Sequence, residues 1–467
     1  MTTSSEEKCV VHIGLDDFDL YLYGCTTHAS TYLLNELAKY IPLHLLDYPN
    51  LVRLNPSIPW KTRGNGAIAL RVEIPCTYID KIIELTEKIL MDYYEKLSTT
   101  LNIEVSELGV NPGVIIALDP LPNVFHKIYI LALTDVIPYD IALSRIKNQN
   151  NVFIVESFYG RGIVGAAAAI GWIKHDSDYT YELITYRSTQ QYLEPRCLDV
   201  KSVIKLDELL HTSTFNNIDP ETGKILIAPH SFDPVLYGIR GDYVDELIKA
   251  LNIVKTCEPI TAWTLFRSNQ ATDAHAIVRN VNELRMYRTA KLKIRVLSRP
   301  VIIHGGHVIL RAGDTTGSID LVFFKPSKLD NIAKKLTIGD EIVVQGHVKP
   351  WKDVPCFHVE KLVIVKLSKL YQCNAPRCPL CSKRMTKSGF GKGYKCPYCG
   401  YTSYSLQPEC REIMRMIDKR LYLPPPSEQK HLIKPLQRYG KEKLSHPHLK
   451  PKPLSVVSKI IEPRWFL

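Results

Sequence analysis

Two C-x-x-C pairs, Cys378-x-x-Cys381 and Cys396-x-x-Cys399, stand 14 residues apart near the C-terminal end of the chain. No other feature restricts the fold as sharply. Four thiolates at this spacing bind zinc tetrahedrally in a closed, structural site. A redox role is the competing reading, but redox centres rarely use two such pairs. A zinc ribbon is therefore expected over residues 369–415, with Cys373 as a spare candidate ligand. Lys383, Arg384, Lys387, Lys392 and Lys395 suit phosphate contacts. Tyr394, Tyr398 and Tyr401 could stack on bases.

The residues before the ribbon have an all-β texture. Lys293–Leu297, Gly306–Ala312, Gly317–Phe324, Asp340–Lys349 and Cys356–Val365 read as five strands. A short helix, Leu329–Lys335, falls between the third and the fourth. That is the layout of an OB-fold barrel, expected over residues 286–368. Further upstream, strands and helices mix. Val10–Leu15, Ala67–Ile74, Ile128–Leu133 and Asn151–Glu156 read as strands. Thr26–Tyr40, Tyr78–Tyr94 and Ala166–Trp172 read as helices, and Val52–Pro59 as extended chain. This mixture implies an α/β or α+β sheet region up to about Ala250. The fold class expected for the 467 residues is thus multidomain α+β, in three or four domains.

The net charge of +11 favours a polyanionic partner. Its distribution says more than the sum. Tyr371–Gly400 carries six Lys/Arg and no carboxylate, and Arg420–Leu467 carries ten Lys/Arg against three Glu. The Pro-rich tail, 416–467, should lack a core of its own and wrap on the protein or on RNA. The longest apolar run, Gly162–Ile173, is too short to span a bilayer. The polar, acidic start, Met1–Lys8, does not suit a secretory signal. A cytoplasmic protein without membrane contact is the expectation.

Five constellations upstream could do chemistry. Asp16, Asp17 and Asp19 follow the first strand. Their mutual repulsion invites a cation, and Mg2+ is the natural one for carboxylates that share it with phosphates. A solvated turn capping the next helix is the other reading. Gly24-Cys25-Thr26-Thr27 opens a helix. Thr26 there could ligate a magnesium-bound phosphate, accept a phosphoryl group, or serve only as a cap. Lys61-Thr62-Arg63-Gly64-Asn65-Gly66 is a basic, Gly-rich loop that could cradle phosphate or be a surface hairpin. Arg161, in Gly160-Arg161-Gly162, sits at a turn able to bind an anion. The polar run Asn269–His275 could orient a substrate or stabilise a loop.

Taken together, these motifs resemble the archaeal tRNA-isoleucine 2-agmatinylcytidine synthetase family. The resemblance rests on Asp16-Asp17-x-Asp19 with Gly24-Cys25-Thr26-Thr27, and on Arg53–Pro56 running to Ile58–Gly66. Gly160-Arg161-Gly162 with Gly165, Tyr237–Gly241 and Asn269–His275 add to it. It extends over nearly the whole chain up to about Cys410. It implies a kinase-like catalytic domain (1–128), a ferredoxin-like domain (129–285), then the OB-fold and the ribbon. It implies an ATP-dependent reaction on the CAU anticodon of an isoleucine tRNA. The 2-oxo group of the wobble cytidine is phosphorylated and then displaced by the amine of agmatine, and ATP ends as AMP and phosphate. The product reads AUA instead of AUG. By the same resemblance, Asp16, Asp17 and Asp19 bind Mg2+ and Thr26 is autophosphorylated. Lys61, Arg63, Gly64, Asn65, Gly66 and Arg161 contact ATP or its phosphates. The family usually has Asp-Asp-Thr-Asp-Ser; here Phe18 and Leu20 replace the two hydroxyl residues.

Two other functions are compatible with parts of the chain. A pure nucleic-acid-binding protein needs only the OB-fold and ribbon. Another metal-dependent RNA enzyme could use the same aspartates.

Overall fold

A computed structural model describes residues 7–19, 24–102, 111–172, 178–443 and 452–461. Leu20 and parts of the tail lie outside these. The N-terminal half is built on strands β1 (Lys8–Asp16), β2 (His44–Leu45), β3 (Asn50–Arg53), β4 (Gly66–Pro75), β5 (Gly113–Leu118) and β6 (Val152–Tyr159). Helices α1 (Thr26–Tyr40), α2 (Ile79–Leu101), α3 (Asn123–Thr134), α4 (Tyr139–Lys147) and α5 (Ile163–Gly171) accompany them. Side chains alternate across a strand. Ile68, Leu70, Val114 and Ile116 therefore share one core with α1 and α2. Ala67, Ala69, Ile115 and Ala117 share another with α3 and α5. Small residues let the second face pack closely: a β-carbon on Gly14 would stand 2.5 Å from the Ala166 carbonyl oxygen. The Ala-rich helix thus presses directly on β1. Buried Arg71 donates to the carbonyls of Ala169 and Ile170 at 3.2 and 3.1 Å and so satisfies the end of α5.

The run Ile128–Leu133, expected as a strand, is part of α3. Phe125, Ile128, Tyr129, Ala132 and Leu133 are buried at helical spacing. Apolar residues on both sides of the run hid that period, the usual ambiguity of short buried segments. Residue 128, the expected division between the first two domains, falls inside this helix, and β6 beyond it pairs with β5.

The next unit adds β7 (Thr180–Tyr186), α6 (Val200–Leu210), β8 (Thr214–Phe215), β9 (Val235–Gly241), α7 (Val244–Ile253) and β10 (Ala262–Ser268). Its strands continue the first sheet in the order β6-β5-β1-β4-β3-β10-β7-β9-β8. The seam is a short parallel pairing of β3 with β10, Asn50 beside Arg267 and Leu51 beside Ser268.

A closed barrel follows, formed by β11 (Thr289–Val296), β13 (Val308–Asp314), β14 (Gly317–Phe323), β15 (Glu341–Trp351) and β16 (Val354–Lys366). The two-residue β12 (Val301–Ile302) pairs with β13. Helix α8 (Asp330–Ala333) lies between β14 and β15, where the sequence places it. This is the OB-fold arrangement. A stalk of β17 (Leu370–Asn374) and β21 (Glu409–Ile413) carries the ribbon. The ribbon's own short strands are β18 (Thr386–Lys387), β19 (Tyr394–Lys395) and β20 (Thr402–Ser403). Cys373 is not a spare ligand. It is bonded to Cys410 across the stalk, and Cys9–Cys76 and Cys197–Cys257 are further disulfides.

Among its described residues the tail forms no core of its own and returns to the body of the protein, where Leu432 and Val457 join the two cores of the sheet. β22 (Leu421–Tyr422) pairs with β16, and β23 (Ser458–Ile460) pairs with β10. Between them Arg438, fully buried, donates to Asp178 at 2.9 Å and Asp242 at 2.8 Å. Among the described residues no helix is long and apolar enough to cross a membrane.

Candidate active site

β1 ends in Asp16, between the basic loop and two glycines at the start of α5, Gly162 just before the helix and Gly165 in its first turn. A β-carbon on Gly165 would lie 1.8 Å from Asp16 Oδ2, and one on Gly162 would lie 2.5 Å from the Asp16 carbonyl oxygen. Only glycines there allow the helix start to sit beside the carboxylate. Asp17 has φ 63°, in the left-handed region, which turns the chain sharply after the strand. Desolvation pushes the Asp16 carboxyl well above its usual range; the carboxylates of Asp17 and Asp19 add to this and Arg161 opposes it. Asp17 is raised by desolvation and by Asp19, again against Arg161.

Two cavities meet here. Asp16, Asp17, Lys61, Asn65, Gly66 and Arg161 line the first. The Arg161 guanidinium stands 5.5 Å from the centre of the Trp60 ring. The second, of about 400 Å³, takes in Asp19, Thr26, Arg63, Gly64 and Gly66. Loop 61–66 is the partition between them. It is held by Thr62 Oγ1, which donates to Asp19 Oδ2 at 2.9 Å, and by Lys61 Nζ, which donates to the Arg63 carbonyl at 2.8 Å. Thr26 is 2 % exposed, at the first turn of α1. Its N–H donates to Asp19 Oδ1 at 3.2 Å, and its hydroxyl accepts from the Phe18 N–H at 3.3 Å. The candidate metal-binding, phosphoryl-accepting and phosphate-binding residues therefore all lie on one cavity or the other. The three aspartates do not converge on a single point. Among the described residues, the four ribbon cysteines are the one set of three or more Cys, His, Asp or Glu whose donor atoms gather closely enough to hold an ion.

Those cysteines fit zinc. Cys378 and Cys399 Sγ are 3.5 Å apart, Cys381 and Cys396 3.4 Å, and Cys381 and Cys399 3.7 Å. A tetrahedron of sulfurs at a Zn–S length of about 2.3 Å has edges of about 3.8 Å.

The second cavity also holds residues that the motifs did not single out. Glu182 on β7 is buried and accepts from Arg53 at 3.3 Å, Arg240 at 3.4 Å and Gln270 at 2.9 Å. Asp233 is buried and accepts from Arg196 at 2.9 Å and Ser231 at 2.6 Å. Its other neighbour, Arg63, is 3.7 Å away and equally far from Asp19. Glu182 could have been found as the one charge in the apolar strand TYELITY. Asp233, in a loop, left no such signal. Asn269 pairs its side-chain amide with the backbone of Arg53 at 2.7 and 2.9 Å, and His275 meets Glu360 at 3.0 Å. The polar run thus ties the sheet to the barrel.

Family models for a TiaS TCKD domain, a TiaS FLD domain, an OB-fold nucleic acid binding domain and a TiaS C-terminal zinc ribbon match residues 12–157, 160–275, 290–365 and 375–417. The isoleucine-tRNA 2-agmatinylcytidine synthetase TiaS of Ignisphaera aggregans is 51% identical over 98% of this chain and 99% of its own length. The chain belongs to the TiaS family. The TiaS of Staphylothermus marinus is 40% identical over 94% of this chain and 96% of its own. A crystal structure of TiaS in complex with isoleucine tRNA and ATP matches with TM-score 0.79 at 31% identity, over 92% of this chain and 97% of that one. A TiaS complex with isoleucine tRNA, AMPCPP and agmatine matches with TM-score 0.77 at 30% identity over the same shares. This TiaS chain is a multidomain α+β protein with an OB-fold and a four-cysteine zinc ribbon.

Proposed function

We propose that this chain is the ATP-dependent ligase that joins agmatine to C2 of the wobble cytidine in the CAU anticodon of isoleucine tRNA. The reading rests on one arrangement: a carboxylate-and-cation cavity and a larger polar cavity, divided only by loop 61–66, with Asp19 and Thr26 beside the divide. ATP binds in the first, where Lys61 and Arg161 offset phosphate charge and Gly66 lets the backbone approach. Asp16 and Asp17, whose carboxyls are raised by desolvation, would hold Mg2+ together with the phosphates; Asp19 would join them only by leaving Thr62. The ion would neutralise charge on the transferring phosphoryl group. Thr26 is the phosphoryl-accepting hydroxyl. The catalytic unit extends through β6.

The chemistry needs two steps. The cytidine 2-oxo oxygen takes one phosphoryl group of ATP as that group's P–O bond to the nucleotide breaks, water removes the other to leave AMP, and a poor leaving group becomes a good one. The agmatine amine then forms the C2–N bond as the C2–O bond breaks and phosphate departs. The second cavity takes the agmatine, with Glu182, Asp233 and Asp19 supplying carboxylates for its guanidinium end and for the proton that its ammonium end gives up before the amine attacks. The base must leave the anticodon stack, at a few kcal/mol by order of magnitude. OB-fold and ribbon hold the tRNA and offset that expense. The setting is the cytoplasm.

The test is incorporation of labelled agmatine into unmodified isoleucine tRNA with ATP and Mg2+. Wild type should incorporate label, and Thr26→Ala and Asp17→Ala should not. Tight tRNA binding without incorporation by wild type would replace this reading with a binding protein. ATP turnover on RNA without agmatine dependence would replace it with a different RNA enzyme.

A further inference from the structure

The aromatic residues of the ribbon do not all stand where a nucleic acid can reach them. Tyr394 and Tyr401 pack against its small core of Cys378, Met385 and Cys396. Tyr398 is exposed, but Lys383 Nζ sits 4.1 Å from the centre of its ring. Phe390, outside the set expected to stack, is 100 % exposed, more than any other large apolar side chain among the described residues.

The local chain puts it there. Phe390 lies on the hairpin that joins β18 to β19, where Lys387 pairs with Tyr394. Ser388 N–H donates to the Gly393 carbonyl at 3.0 Å, and Lys392 N–H to the Gly389 carbonyl at 3.2 Å. The second bond closes a four-residue turn with Phe390 and Gly391 at its centre. Gly391 has φ 73°, the left-handed value that a type II turn demands at its third position. A β-carbon on Gly391 would meet nothing within 4 Å, so the turn stands clear of the protein. The foot of the hairpin is fixed: a β-carbon on Gly393 would lie 2.2 Å from the Ser403 carbonyl oxygen. The phenyl ring is thus held out on a braced turn, at a position that Gly, Pro, Asn, Asp and Ser usually fill.

A single exposed apolar side chain is ordinary. Its surroundings set this one apart. Lys387 and Lys392 flank it, and no carboxylate occurs from Tyr371 to Gly400. The ion pairs of stalk and ribbon, Lys369 with Glu412 and Arg384 with Glu409, leave Lys387, Lys392 and Lys395 without a carboxylate among the described residues. A bare ring among uncompensated cations complements a polyanion that offers flat apolar faces, and unpaired RNA bases are such faces. Given the reading that the ribbon holds the tRNA, we infer that Phe390 stacks on an unpaired base of that tRNA while Lys387 and Lys392 hold the phosphates beside it.

The experiment is equilibrium binding of unmodified isoleucine tRNA to full-length, zinc-loaded protein over a range of salt concentrations. Phe390→Ala should weaken binding about tenfold or more, the loss of one base–aromatic stack. Its salt dependence should match wild type, because no phosphate contact is lost, whereas Lys392→Ala should lower the slope by about one. Phe390→Trp should bind as wild type does, and its emission, above that of the five native tryptophans, should be quenched by the tRNA. Phe390→Leu, with bulk but no ring face, should bind like Phe390→Ala. In turnover Phe390→Ala should raise the tRNA KM while kcat and the agmatine KM stay within about threefold. Unchanged affinity in Phe390→Ala, full affinity in Phe390→Leu, or tryptophan emission indifferent to tRNA overturns this inference alone. So does an equal loss in Tyr404→Ala, which is exposed beside the foot of the same hairpin. Wild type that binds no isoleucine tRNA overturns the ligase reading and this inference with it.

Discussion

Gly165 and Asp16 are packed so closely that no side chain fits between them: a β-carbon on the glycine would lie 1.8 Å from the carboxylate Oδ2. Gly165→Ala must push Asp16 aside. Misplacing a catalytic group by about 1 Å can cost about a hundredfold in rate. The expected outcome is a loss of that order in agmatine incorporation. Tm should fall by only a few degrees, since α5 already tolerates alanine at its next four positions. Unchanged turnover would remove Asp16 from the reaction.

Thr26 separates two roles that its position alone leaves mixed. If its hydroxyl takes part in phosphoryl transfer, Thr26→Ala should lose about a hundredfold or more in kcat. Thr26→Ser, which keeps the oxygen, should retain most activity. If Thr26 only starts the helix, both variants should lose stability instead, readable in a melt.

One zinc per chain is expected, released when the protein is denatured and counted with a colorimetric chelator. Cys396→Ser should release none and should lose tRNA affinity while agmatine-independent ATP binding persists. A full zinc complement in that variant would move the metal elsewhere.

Three disulfides leave six of the twelve cysteines free: Cys25, Cys356 and the four of the ribbon. Denatured, metal-free, unreduced protein should take up six alkyl groups by mass spectrometry, and twelve after reduction. In the native, zinc-loaded state Cys25 should stay unmodified near pH 7.5, because burial pushes its thiol up to about 11. The bridges close chain separations of 67, 60 and 37 residues, so reduction should lower the melting midpoint. Such bonds are rare in cytosolic proteins other than those of hyperthermophiles.

Acid should weaken the fold through buried histidines. Burial pushes His28 down to about 3, against an ordinary value near 6.5. The unfolded chain therefore binds a proton, below about pH 6.5, that the folded one refuses. Stability from this group is present above that pH and is lost as pH falls toward 3. His347, pushed to about 3, and His358, to about 4, act in the same direction. The stability of wild type should decline between pH 6.5 and 4 more steeply than that of His28→Gln. The difference should approach about 1.4 kcal/mol per pH unit, the limit for one proton. Parallel curves would mean that His28 titrates in the folded state as it does in the open chain.

The barrel, the ribbon and α1 were legible because their signals are local: alternation, a cysteine spacing, a helix of ordinary period. The candidate catalytic motifs are legible as residue types at short separations, and their residues line the two cavities. What the chain order concealed was contact. Glu182 and Asp233 join Asp19 only because β3 and β10, more than two hundred residues apart, lie side by side. Ile128–Leu133 was misread because its neighbours on both faces are apolar. The tail offered lysines and prolines, but neither shows where a segment without a core will come to rest.

The return of the tail also bears on how the enzyme is made. Its second chamber opens on residues of the N-terminal half, yet one side of it is laid down by residues that leave the ribosome after the ribbon has been synthesised. Earlier domains can fold as they emerge. The chamber lacks that side until Pro426, Ser427, Gln429 and His431 have been made, so domains that fold as they emerge enclose an open cavity. The returning segment closes the chamber only after the ribbon has been made.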